Sequence, residues 1–123
     1  MSKQYQDPSF VLPRDINLIE SSYILREDRL EVLRFLEAHS FLIPLVIEAY
    51  VNIQKDFPYS KVFLRIVNDP EEVDPDEADK LVASIRTNLD VDEATDTLSR
   101  FDKRWWFNTW KQVHGKFGIT LEF

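Results

Sequence analysis

The sequence predicts an α+β domain in which an N-terminal helix pair precedes a β-β-α-β unit, a three-stranded antiparallel sheet packed with helices. Three observations carry this expectation. Apolar residues recur at helical steps between Arg26 and Asp56, three stretches after Pro58 alternate with period two, and a helical stripe separates the second of these from the third. A chain of 123 residues fits one domain, long enough to bury roughly two thirds of its unfolded surface.

Residues 1–25, with Pro8, Pro13 and scattered apolar side chains, hold no sustained period and are expected to form an extended arm ahead of a domain spanning 26–123. From Arg26, Leu30, Leu33 and Leu36 recur at spacing three, while Glu27, Asp28 and Glu31 place carboxylates beside the exposed amides of a first turn. His39 and Ser40 mark a break. Ser40 is expected to cap a second helix running to about Asp56, with Pro44 tolerated because it lies near the start. Glu48, Asn52 and Lys55 form one narrow polar stripe on that helix, and Leu45, Val46, Ile47, Ala49, Tyr50, Val51 and Ile53 make the rest apolar. Such a helix must be covered on two sides.

Val62, Leu64 and Ile66 alternate with Phe63, Arg65 and Val67; Leu81, Ala83 and Ile85 alternate with Val82, Ser84 and Arg86; Phe117, Ile119 and Leu121, with Phe123 continuing the period, alternate with Gly118, Thr120 and Glu122. The first members of each set predict a helix-covered face. Arg65, Arg86 and Glu122 fall on the other and can pair across strands. Between the second and third strands, Asp90 and Glu93 have capping-box spacing, and Ala94, Leu98, Phe101 and Trp105 follow at steps of four, three and four. With the first strand central, the expected order is second, first, third, all antiparallel.

Charge divides the chain sharply. Asp69 to Asp79 holds seven carboxylates and no basic group, which equals the whole formal charge of -7, and its Pro70 and Pro75 suit a hairpin connection and not a ladder. The segment lacks the turn glycine of a calcium-binding loop, so no metal is expected there. Without cysteine, and with only His39, His114, Gly115 and Gly118 of their types, the chain shows no thiolate or zinc-site spacing, nucleophile elbow or phosphate cradle. No enzyme, cofactor or catalytic residue is expected. Phe41 to Val51 is too short and too interrupted for the roughly 20 residues of a spanning helix, which favours a cytoplasmic protein without a membrane anchor.

The expected function is therefore a non-enzymatic interaction or regulatory module that self-associates as a dimer or docks an unidentified protein partner. Its motive is the apolar second helix, with Leu45 and Tyr50 as candidate contacts. Trp106, Trp110, Lys103 and Arg104 are further candidates, because Arg100, Lys103, Arg104, Lys111 and Lys116 surround Trp105, Trp106, Phe107 and Trp110. The alternative for this basic aromatic segment, 100–116, is single-stranded nucleic acid, whose bases stack on rings while cations track the backbone. Packing competes with both, since Trp105 continues the core stripe. A pI near 4.8 also weighs against nucleic acid.

Several stretches resemble a family of small uncharacterised bacterial proteins, many of them cyanobacterial. They are Phe35-Leu36, Phe41-Leu42-Ile43-Pro44-Leu45 with Glu48-Ala49-Tyr50 and Phe57, Asp69-Pro70-Glu71, Asp102 with Trp105-Trp106, and Leu121-Glu122-Phe123. The resemblance spans about Leu30 to the C-terminus. It implies a bacterial cytoplasmic origin and brings no activity, cofactor or catalytic residue.

Overall fold

Where the sequence predicts an extended arm, the chain forms a helix, α1 (Pro13–Ser22). The structure, a computed structural model, describes residues 13–123, with the backbone alone at 75 and 76; the rest of the expected arm, 1–12, lies outside the described residues. Pro13 opens α1 where a missing amide costs nothing, and Asp15 sits in its first turn. Ile19 is buried, and α1 packs along a later helix, α3 (Leu42–Asp56).

A single turn at Arg26–Asp28 leads into α2 (Arg29–Ala38). Its buried residues are Val32, Phe35 and Leu36, not the predicted row of Leu30, Leu33 and Leu36; Leu30 is 55% exposed. His39 ends α2 as expected, with its ring stacked on Phe35 at 4.2 Å. The helix α3 starts at Leu42 without a side-chain cap, so Ser40 contributes its carbonyl, which accepts from the Ile43 amide, and not its hydroxyl.

Residues after Pro58 behave as their alternation predicts. Strand β1 (Lys61–Asn68) pairs antiparallel with β2 (Asp79–Arg86), joined by the acidic segment, which contains a one-turn helix α4 (Pro75–Ala78). Asp90 caps α5 (Val91–Phe101), its Oδ1 accepting from the Glu93 amide at 2.9 Å. That bond holds the Asp90 carboxyl below its usual range. The chain runs on through a π-helical turn, Asp102–Trp106, and short turns to Val113 before β3 (Phe117–Glu122). His114 and Gly115 both take left-handed backbone conformations and reverse the chain into β3.

Strand order corrects the sequence reading. The order is β1-β2-β3, so β2 is central, and β2 pairs with β3 in parallel. The connection carrying α5 makes a β-α-β crossover, which returns the chain in the same direction. The faces nevertheless fall as predicted. Val62, Ile85 and Leu121 share one register row, Leu64, Ala83 and Ile119 the next, and Ile66, Leu81 and Phe117 a third, all on the helix-covered face.

The apolar face of α3 is sheltered within one protomer. Leu42, Ile43, Val46, Ala49 and Ile53 are buried, with α1 against one flank and α5 against another. The exposed stripe is Pro44, Glu48, Val51 and Lys55, whereas Asn52, expected on it, is buried. This removes the motive for self-association that the sequence supplies, because the extra cover comes from α1, in the segment expected to be an extended arm.

Candidate functional site, the tryptophan groove at the outer sheet edge

The π turn decides how the tryptophans are displayed. Its backbone widens to an i→i+5 bond, the Phe107 amide donating to the Asp102 carbonyl. Trp105 stays buried and donates from Nε1 to Glu48 Oε1 at 2.9 Å, clamping the turn to α3. Trp106 swings half out, its ring 5.9 Å from Trp105 and edge-on to Phe117 at 6.0 Å. Two adjacent tryptophans thus share one aromatic run that ends on the first residue of β3. Asp102, at the start of the turn, has its carboxyl pushed upward by partial burial.

Beside this run lies an open groove of about 460 Å³ between the turns and β3, lined by Trp106, Phe107, Trp110, Val113, Phe117, Gly118 and Ile119 with Lys80 and Gly115. Lys80 is the one charged residue in that lining. Phe107 is 57% exposed and Trp110 49%. The groove follows an edge strand: among the described residues nothing pairs with the outer side of β3. The Lys116 carbonyl accepts from the Leu81 amide, so by alternation the amides and carbonyls of Ile119 and Leu121 point away from β2. The opposite edge is different. There Ile24 donates to the Val62 carbonyl at 2.9 Å and accepts from the Leu64 amide at 3.0 Å, blocking β1. The groove is therefore largely apolar and bounded on one side by a strand edge.

The candidates named from sequence are scattered by the fold. Trp106 and Trp110 meet in the groove, four residues apart on one face of the helical run. Lys103 is exposed on the π turn. Arg104 is committed elsewhere: it donates to Asp56 Oδ2 at 3.1 and 2.7 Å, to Asn52 Oδ1 at 2.9 Å and to the Asn52 carbonyl at 2.9 Å. Leu45 packs half-buried against the core. Tyr50 meets Tyr23 edge-on at 5.2 Å beneath α1, and five positions at 100° each set it on another side of α3 from Leu45. Tyr23 donates to the Val46 carbonyl at 2.6 Å, and burial raises its hydroxyl pKa well above the ordinary value.

The basic aromatic segment is therefore not one surface. Arg104 locks α3, Trp105 is core, and Lys116 is a buried cation that reaches Glu77 of the acidic segment at 3.3 Å. That ion pair joins the basic and acidic segments within one chain. Sequence reasoning missed Phe107 and Ile119 as groove residues; the edge position of β3 was the absent information.

Arg104 yields a first expected result. Replacing it by alanine strands the buried Asn52 oxygen and frees Asp56, so stability should fall by about 1–2 kcal/mol after discounting for its partial exposure. Arg104→Lys keeps the charge but loses the fork that reaches two acceptors, and should recover less than half of the loss. Urea denaturation measures both. An alanine variant within 0.5 kcal/mol of the parent would show the contacts to be ornamental.

No protein-family model, curated protein or solved structure matches the chain. The resemblance to small uncharacterised bacterial proteins consequently carries no argument about function. What remains is geometry. Among the described residues no helix is long and apolar enough to cross a membrane.

Proposed function

We propose that this protein is a non-enzymatic interaction module that self-associates through the outer edge of β3. The supporting observation is the coincidence of an uncovered strand edge with exposed Phe107 and Trp110. Edge strands that avoid pairing carry charges, proline or bulges, but the middle of β3, Gly118 to Leu121, has none of these. A second copy suits this edge better than a foreign strand, for two reasons. Two-fold pairing is antiparallel and so sets the start of one β3, beside Lys80, against the end of the other, at Glu122. The same operation brings the two tryptophan grooves to one side of a continuous six-stranded sheet.

Light scattering coupled to size-exclusion chromatography tests the reading at micromolar protein. The parent should elute with twice the chain mass. Thr120→Lys, on the exposed face, puts like charges across the two-fold, and Trp110→Ala removes an exposed ring; each should weaken association about tenfold or more, about 1.4 kcal/mol. A parent that stays monomeric at 100 micromolar, an upper bound of about 5 kcal/mol on association, sinks the proposal.

A further inference from the structure

The face of the sheet opposite the buried rows carries a second feature, centred on β1 and not on the β3 edge. Phe63, on the edge strand β1, projects from this face and is nevertheless buried. Its cover is cationic. The guanidinium of Arg86 lies 4.5 Å from the ring centroid, that of Arg26 5.0 Å and that of Arg65 5.9 Å. Three elements supply them: β2, the turn before α2, and β1. Together they line a depression of about 130 Å³ bounded by Ile24 and Leu25.

Three guanidiniums in one place repel one another unless anions intervene, and one anion is already present. Glu122 accepts from Arg65 Nη2 at 2.8 Å and from Arg86 Nε at 3.0 Å, with a further short contact to Arg86 Nη2. Arg86 first, with Arg65, holds the Glu122 carboxyl below its usual range. Arg26 has no such partner. Among the described residues no carboxylate is within ion-pair distance of it, although Glu27 and Asp28 stand in the same wall. Its backbone is left-handed, φ 51°, a conformation that costs a residue with a side chain and that persists where surroundings or function demand it.

The geometry points to a site for a phosphoryl group on a small molecule, held by Arg26, Arg65 and Arg86, with Glu122 as the internal carboxylate that occupies two of the three forks when no ligand is bound. Planar guanidiniums match tetrahedral oxyanions by paired N–H donors, and Arg in place of Lys at all three positions fits that task. Phe63 contributes a rigid apolar floor, against which the three cations keep their spacing through attraction to its face. A ligand phosphate replaces the Glu122 carboxylate at Arg65 and Arg86 and adds the unpaired Arg26. The protein as a whole is acidic, with a net charge of -7, so generic attraction does not explain anion binding here.

The test is titration with inorganic phosphate, and separately with adenosine monophosphate, at constant ionic strength kept with sodium chloride, followed by calorimetry and by amide shifts in nuclear magnetic resonance. Saturable binding is expected with a Kd of about 1 mM or below, with shifts centred on Arg26, Phe63 and Arg86. Arg26→Ala, which breaks no ion pair among the described residues, should raise the Kd about tenfold, and Glu122→Gln should lower it several-fold by freeing two forks. Adenosine monophosphate binding alone assigns the site to a phosphate ester; equal binding of both probes assigns it to the phosphoryl group by itself. Linear, unsaturated shifts with both probes overturn the proposal, as does an unchanged Kd in both variants. Arg26 lies off the β3 edge, so Arg26→Ala is read by ligand affinity while Thr120→Lys and Trp110→Ala are read by mass, and failure of one proposal leaves the other intact.

Discussion

Replacing Phe101 by alanine is expected to lower stability by about 3–5 kcal/mol. The residue is fully buried at the end of α5, where the regular helix meets the π turn, and its ring lies 5.8 Å from Trp105. It belongs to the one buried cluster that α3, α5 and the sheet share, so little is free to collapse into the void. Two losses follow together. The truncated ring forfeits its own burial, and Trp105 loses the neighbour that keeps its Nε1 aimed at Glu48. Chemical denaturation reads the effect as a lower midpoint at unchanged slope. Val91→Ala on the same helix, at a position 60% exposed, is the control and should stay within about 0.5 kcal/mol. If Phe101→Ala costs less than about 1 kcal/mol, the aromatic run is loosely packed and cannot fix Trp106 in the groove.

Legibility in the sequence followed the range over which each choice is made. The three strands, α5 and its Asp90 cap are local patterns, and each formed where alternation or helical spacing put it. The pairing of Glu122 with Arg65 and Arg86 was also legible, because period two assigns a residue to a face whichever strand lies beside it. Strand neighbours are not local. The same alternation suits β3 beside β1 or β2, parallel or antiparallel, and only packing of the α5 crossover selects between them. The groove was half legible for this reason: Trp106 and Trp110 stood out as aromatics, while Ile119 joined them only through the edge position of β3.

Arg104 and Arg26 show the same limit from the side of charge. A basic residue among tryptophans reads as a free cation, yet Arg104 finds Asn52 and Asp56 some fifty positions away and ties the π turn to α3. Nothing near Arg26 in sequence announces a left-handed backbone or the ring of Phe63. The π turn is equally silent, since DKRWW contains no residue that requires the wider bond. In each case the deciding partner is remote along the chain.

The helix α1 is the exception, a local signal that was present and went unread, and it carries the second large expectation. Pro13 at the first position, Asp15 in the first turn, and Ile16, Ile19 and Tyr23 at steps of three and four describe a helix with a buried stripe. Ile19→Ala should therefore cost about 2–4 kcal/mol, since Ile19 is buried against α3 beside Tyr23, Ile47 and Tyr50. An arm merely resting on the surface would give less than about 0.5 kcal/mol. The oligomeric state separates two roles for α3. Should α3 be covered in cis by α1, as the burial of Ile43 and Val46 indicates, Ile19→Ala lowers stability while the mass in light scattering tracks Trp110 and Thr120 alone. Should α3 drive assembly, loosening α1 would expose it and raise the mass above that of the parent. The variant thus asks which apolar surface, the covered helix or the uncovered strand edge, brings two chains together.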